Sequence, residues 1–358
     1  MRRREFIAGL GSSAAWPVVA RAQPPPVPVI GFLSSASNAP PSLERTPKGF
    51  RAGLNEAGYF VGRNVTIELF LANGRYDRLP ALAKEMVRHQ VSLIVAAGGL
   101  ASALAAKAAT AKIPILFIAG FDPVEVGLVS RINRPGGNAT GISIYTTELL
   151  AKRLQLMREL VPQTSLVALL VNPLSPVAGI EIDDMESVAR AKGFRLLALQ
   201  ASGQDEVEKA FASAIRNHAD ALLISADPFF TTRRQQIVAL AARHGLPVVY
   251  PFQEYTEIGG LMSYGPSLMA AYHEIGLYAG RILKGADPGE LPVQFPRTFE
   301  LIINLKTAKA LGLTIPETLL ATADEVIQCQ RGPGPSPNAT YSIASAGAPL
   351  PTRHGWSD

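Results

Sequence analysis

The 358-residue sequence predicts an α/β protein of two doubly wound parallel-sheet lobes joined by a three-crossover hinge. Two observations carry this reading. Short β-branched or apolar runs alternate with helix-length amphipathic segments in two separate series, and turn-rich stretches stand where the chain would pass between lobes. Parallel strands need a long return connection, usually a helix, so the alternation reports the crossover units.

The first series opens with a strand over 29–33, a helix over 48–57 ended by Gly58, a strand over 65–71 and a helix over 79–88. A strand over 91–96, a helix over 100–110 and a strand over 115–119 extend it. The second series runs through strand 166–171, helix 177–192, strand 194–199, helix 205–217, strand 221–225, helix 232–244 and strand 248–250. Between them, Arg134-Pro-Gly-Gly-Asn-Ala-Thr-Gly-Ile-Ser is expected to form a hinge strand. A second crossover is expected at 259–265, ahead of a helix over 268–283 assigned back to the first lobe. A third is expected at 296–299, ahead of a strand over 301–304 and a helix over 306–311. Lobe 1 is therefore expected to comprise 27–142 plus 266–297, and lobe 2 143–265 plus 298–327.

The termini read differently. Arg2, Arg3 and Arg4 lead into an apolar run from Phe6 to Ala20 and a small-residue exit at Ala20-Arg21-Ala22, the pattern of a cleaved secretion signal over 1–22. The adjacent arginines resemble the twin-arginine version of that signal. The run is too short, and too broken by Gly9, Gly11 and Pro17, to span a bilayer. A soluble periplasmic protein starting near Gln23 is expected, without a lipid anchor because no cysteine stands at the exit. The segment 328–358 is rich in Pro, Gly, Ser and Ala without periodicity, and reads as a disordered tail.

Composition excludes several function classes. At 47% hydrophobic and 18% charged residues, the chain can bury substantial cores. Of the net charge of +5, Arg2, Arg3, Arg4 and Arg21 against Glu5 supply +3, which leaves +2 on the mature chain. That is too little for a nucleic-acid footprint. Cys329 is the only cysteine, and His89, His218, His244, His273 and His354 lack ligand spacing, so neither a metal site nor a cofactor is expected.

Several motifs occur together: Pro-Val-Ile-Gly-Phe-Leu-Ser-Ser at 28–35, Phe121-Asp-Pro-Val, Gly127-Leu-Val, Arg134-Pro-Gly-Gly-Asn-Ala-Thr-Gly141, Ser263-Tyr-Gly265, and Ile303-Asn-Leu-Lys-Thr-Ala-Lys-Ala-Leu-Gly-Leu-Thr-Ile-Pro316. Together they resemble the ABC transporter substrate-binding family that includes the tryptophan and tyrosine binding lipoproteins, over about residues 1–327. The resemblance implies a type I periplasmic binding fold that closes on a small molecule by hinge motion. It also implies an inner-membrane ABC permease as partner, a monomer in solution and no catalysis. The tail and the missing anchor cysteine depart from the family pattern.

In open α/β sheets ligands bind at the carboxyl ends of the strands, which selects the candidate residues. Ser34 and Ser35 end the first strand, and serve equally as a carboxylate site or as a plain turn. Gly98 and Gly99 precede a helix and leave backbone N–H groups open to a ligand, without the lysine and hydroxyl of a phosphate loop. Asp122-Pro123 and Asp227-Pro228 each come directly after a strand. Both read as helix starts, with Asp as N-cap, and both are expected to face one cleft, where a carboxylate suits an ammonium group. Asn172-Pro173 repeats the pattern with an uncharged cap. Phe121, Tyr250 and Tyr264 lie among aromatics at the strand ends and could stack on a planar ligand or form lobe core. Glu254 is a second candidate ammonium partner.

Two other function classes stay in view. Asp122 and Asp227 could act as an acid and base pair in a hydrolytic enzyme, but no histidine, cysteine or metal cluster joins them. An exported ligand-sensing subunit signalling to a membrane receptor is the remaining alternative.

Overall fold

The computed structural model describes residues 27–36, 47–146 and 149–328. The expected signal segment 1–22 and the tail beyond residue 328 lie outside the described residues.

The first sheet contains β1 (Val29–Ser34), β2 (Thr66–Leu71), β3 (Leu93–Ala96), β4 (Ile115–Ala119) and β5 (Ala139–Ser143). Its order is β2-β1-β3-β4-β5, with every pair parallel. Helices α1 (Lys48–Glu56), α2 (Leu79–Arg88) and α3 (Gly99–Ala109) return the chain between strands. β3 and β4 are buried along their whole length, as expected of apolar runs covered by helices on both faces.

The second unit opens with α4 (Leu149–Leu160) and continues through β6 (Leu166–Val171), α5 (Ala178–Ala191), β7 (Arg195–Gln200), α6 (Gln204–Arg216) and β8 (Ala221–Ile224). Next come α7 (Pro228–Thr232), α8 (Arg234–His244), β9 (Val248–Tyr250), α9 (Gln253–Thr256) and β10 (Met262–Gly265). After α10 (Leu268–Leu283), the chain adds β11 (Glu300–Asn304), α11 (Leu305–Ala310), α12 (Glu317–Thr322) and β12 (Glu325–Ile327). The sheet order is β12-β11-β10-β9-β8-β6-β7. It departs from the all-parallel expectation at one pair, because β11 runs antiparallel to β10 after the excursion through α10.

Helix α10 packs on the first sheet, against β3, β4, β5 and α1. Two glycines make that possible. A Cβ on Gly53 would fall 2.0 Å from the His273 carbonyl oxygen, and one on Gly276 would fall 2.3 Å from the Phe50 carbonyl oxygen, so only glycine lets the two backbones touch.

The chain thus crosses between the two units after β5, after β10 and before β11. The third crossing runs beside the first: Gln294 N–H donates to Gly141 O at 2.9 Å, and Ser143 N–H donates to Gln294 O at 3.0 Å. The expected hinge strand over 134–143 is corrected to Ala139–Ser143, which forms the edge of the first sheet. The expected helix over 232–244 is α8, which starts at Arg234 because the short helix α7 occupies the chain up to Thr232. Helices α4 and α12 and strand β12 had no sequence-based counterpart. The apolar face of α4 contains a wholly buried arginine, Arg153, which breaks its pattern. One buried cluster runs from Phe32 and Ile118 of the first unit to Ile224, Phe229 and Phe252 of the second, so the two lobes are in contact.

Candidate functional site

Both sheets aim their strand ends at a shared cavity of about 140 Å³. The first lobe contributes Ser34, Tyr76, Gly98, Gly99, Gly120 and Phe121, with Ile144 and Thr146 from the first crossing. The second lobe contributes Ser175, Val177, Glu181, Ser225, Asp227 and Phe252, and Tyr272 reaches in from α10. Lysine, arginine and histidine are absent from the lining among the described residues.

Asp227 anchors the second lobe's side. It is 5% exposed and caps α7, accepting from the Phe229 N–H at 2.9 Å. Asn172 Nδ2 donates to the same oxygen at 3.0 Å, while the Asn172 Oδ1 accepts from the Leu174 N–H at 3.0 Å. The Tyr76 hydroxyl crosses from the first lobe and reaches both carboxylate oxygens, at 2.8 and 2.9 Å. Burial pushes the Asp227 carboxyl up, against the pull of its Asn172, Tyr76 and Phe229 donors. Burial and the charge on Asp227 push the Tyr76 phenol up as well, which keeps it a donor.

Glu181 supplies a second acid. It stands on the first turn of α5, 3% exposed, and its Oε2 accepts from the Ser225 hydroxyl at 2.7 Å. Burial raises its carboxyl to about 7. Near Glu181, Arg153 ties two of the crossings together. Its Nε donates to Tyr264 O at 2.8 Å and its Nη1 to Thr146 O at 3.4 Å, while Nη2 is buried without a partner among the described residues. Burial lowers the guanidinium to about 10, so it stays charged at neutral pH.

Of the expected residues, Ser34, Gly98, Gly99, Phe121 and Asp227 line the cavity. Ser35 and Asn172 stand behind it. The Ser35 hydroxyl donates to Gly98 O at 3.0 Å and holds the ends of β1 and β3 together. Asp122 is corrected as a helix start. It accepts from the Val124 N–H at 2.8 Å, but the chain beyond it forms turns and not a helix. It lines an interlobe groove with Glu125, Ile180 and Asp184 that shares Phe121 and Val177 with the Asp227 cavity, so the two acids stand on one cleft but in different parts of it.

Three further expected residues also lie outside the cavity lining. Tyr250 stacks on Tyr255 at 4.7 Å in the second lobe's core. Tyr264 packs near Phe299, with ring centroids 6.3 Å apart. The Glu254 Oε2 is buried without a hydrogen-bond partner among the described residues, and burial pushes that carboxyl up. Sequence reasoning missed Tyr76, which lies in a short 3-10 turn with no periodic signal, and Glu181, which looked like an ordinary acid in a helix first turn.

The family profile described as ABC transporter substrate binding protein matches residues 27–327. The chain belongs to this family. A relative named tyrosine-binding protein, from Clostridioides difficile strain R20291, is 29% identical over 273 residues, 76% of this chain and 78% of the relative. Among solved structures, a conserved domain protein from Vibrio cholerae O1 biovar El Tor is 27% identical with a TM-score of 0.72, covering 84% of this chain and 99% of that one. An ABC domain from Streptococcus pneumonia in complex with L-Trp is 25% identical with a TM-score of 0.68, covering 83% of this chain and 100% of that one. The substrate binding protein accordingly has the type I periplasmic binding fold expected from its sequence, and its role is capture of a solute for an ABC transporter. The first of these relatives is named as a binding protein, and the pneumococcal domain is in complex with L-Trp.

Proposed function

We propose that this substrate binding protein captures an amino-acid-like solute bearing an aromatic ring, and that its lobes close over the solute about the three crossings. The division of polar groups in the cavity carries the reading. From the second lobe, the Asp227 carboxylate offers a charge-assisted partner for an ammonium group. From the first, the N-terminus of α3 presents backbone N–H groups beside Gly98, Gly99 and Ser34, which suits a carboxylate. Phe121, Phe252 and Tyr272 supply ring faces.

Volume sets the size. The cavity of about 140 Å³ is comparable to the roughly 150 Å³ that admits benzene, which favours a small solute of amino-acid size over a larger one. Relatives that take tyrosine and tryptophan support an aromatic amino acid as the class. The Tyr76 to Asp227 hydrogen bond spans both lobes and supports closure as the binding step.

The proposal takes lobe 1 as 27–142 plus 266–297 and lobe 2 as 143–265 plus 298–327. It includes export through 1–22, work as a monomer in the periplasm, delivery to an inner-membrane permease, and carriage without catalysis. Among the described residues no helix is long and apolar enough to cross a membrane. A fusion of residues 1–30 to a folded reporter should reach the periplasm, and cytoplasmic retention would remove export from the proposal.

Thermal unfolding of the mature chain with L-tyrosine, L-phenylalanine, L-leucine and glucose tests the ligand class. A ligand at a hundred times its Kd adds about 2.7 kcal/mol of stability. Tyrosine or phenylalanine should raise the midpoint by several degrees. A shift with glucose or leucine alone would overturn the reading.

A further inference from the structure

We propose that Glu181 is a specificity-determining residue of this cleft: with Asp227 it forms a subsite for a protonated amine, and the incoming ammonium group replaces a proton on the Glu181 carboxyl. This deepens the proposed function and rests on its placement of the solute in the cavity.

Both acids are tied to Ser225, just beyond the end of β8. The Asp227 N–H donates to Ser225 O at 2.9 Å, and the Ser225 hydroxyl donates to Glu181 Oε2 at 2.7 Å. Their hydrogen-bonding loads differ. Asp227 already accepts from Tyr76, Asn172 and Phe229. Ionised carboxylates offer about four acceptor positions, so the protein itself occupies most of the capacity of Asp227. Glu181 receives the Ser225 hydroxyl on one oxygen, and among the described residues its Oε1 receives no hydrogen bond although the residue is 3% exposed. Asp227 is held by the protein, while Glu181 is left open toward the cavity.

Charge around Glu181 favours exchange of a proton for a cation. Burial and the Asp227 charge favour its protonated form, while the Ser225 hydroxyl and Arg153 on α4 favour the carboxylate. Tyr76 faces Asp227 from the first lobe, and Arg153 in turn lies near Tyr264 and Tyr255. Two carboxylates facing one cavity repel, so below about pH 7 the empty cleft keeps a proton on one of them. An ammonium group removes that need. The Glu181 O–H bond breaks, its proton passes to solvent, and the carboxylate pairs with the bound ammonium. A ligand that carries only a carboxylate gains nothing from this exchange and is repelled.

Three phenolic probes differing in charge test the inference: tyramine as cation, L-tyrosine as zwitterion and 3-(4-hydroxyphenyl)propanoate as anion. Calorimetric titration of the mature parent should give tyramine and tyrosine affinities that improve about tenfold from pH 6 to pH 8, with protons released into the buffer near pH 6. The propanoate should bind more weakly than either. Glu181→Gln keeps the size of the side chain, and should weaken both amines at pH 8 by more than tenfold and remove the pH dependence. If the variant binds both amines within threefold of the parent, Glu181 is not the determinant, while the aromatic reading stands. If the variant fails to fold, the parent decides alone: flat amine affinity between pH 6 and 8 overturns the proposal. Binding of none of the probes to the parent overturns this proposal and the proposed ligand class together.

Discussion

The Tyr76 hydroxyl lies 2.8 and 2.9 Å from the two carboxylate oxygens of Asp227, joining residues 151 positions apart across the interlobe cleft. Tyr76 sits on the first lobe and Asp227 on the second, so the contact exists only while the lobes are together. Tyr76→Phe removes the hydroxyl and keeps the ring. A hydrogen bond to a charged group contributes about 1.5–3 kcal/mol, so tyrosine binding should weaken by about tenfold or more. Small-angle scattering of the unliganded variant should also show a more open particle. Affinity within threefold of the parent, with unchanged scattering, would dismiss the contact as a latch.

Asp227→Asn and Asp122→Asn should part company. Asn keeps an oxygen for the Phe229 N–H and so preserves the α7 cap at a cost below about 1 kcal/mol. It loses the charge offered to an ammonium group, and loss of a desolvated charge partner costs about 2–5 kcal/mol in affinity. Asp122 caps a turn at the adjoining groove and does not line the cavity, so its variant should bind within threefold of the parent. Equal losses in both variants, measured by titration with L-tyrosine, would contradict the separation of the two residues.

Gly98→Ala tests the wall beneath the cavity. An added Cβ would sit 2.2 Å from the Ser35 nitrogen and 2.3 Å from the Ser102 Oγ, and the first of these is backbone that cannot swing away. Overpacking of this kind costs about 1–3 kcal/mol. The unfolding midpoint should drop by several degrees, and an unchanged midpoint would mean that β1 and β3 yield easily at their ends.

Glu181 should leave a signature in stability as well as in binding. Burial raises its carboxyl from the usual carboxylate range to about 7, so the folded chain holds that proton more tightly than the unfolded one. The associated stability is complete below about pH 4.5 and is lost as pH rises toward 7, on the order of 3 kcal/mol at most. Glu181→Gln has no such proton. Urea unfolding of parent and variant at pH 4.5 and 7.5 should show the parent losing more stability between the two conditions. Parallel changes in both proteins would place the Glu181 proton in the same balance folded and unfolded.

How much of the molecule is legible in its sequence depends on the distance over which each feature is encoded. The alternation of apolar runs and amphipathic helices and the Asp227 cap depend on a few neighbouring residues, and a sequence displays them. The strand-end rule then led to Ser34, Gly98, Gly99, Phe121 and Asp227. Asp122-Pro123 carries the same local signal as Asp227-Pro228. Only the tertiary structure separates them, because the first leads into turns beside a groove and the second into a helix beneath the cavity. Tyr250 and Tyr264 stand at strand ends too, but packing turns their rings into neighbouring side chains. Tyr76, Arg153 and Glu181 lay beyond sequence reasoning for one physical reason. Each acts through a partner at least 44 positions away, Tyr264 in the case of Arg153, and which distant residues meet is set by the packing of the second lobe's core and, for Tyr76, by how the two lobes come together, which no local pattern records.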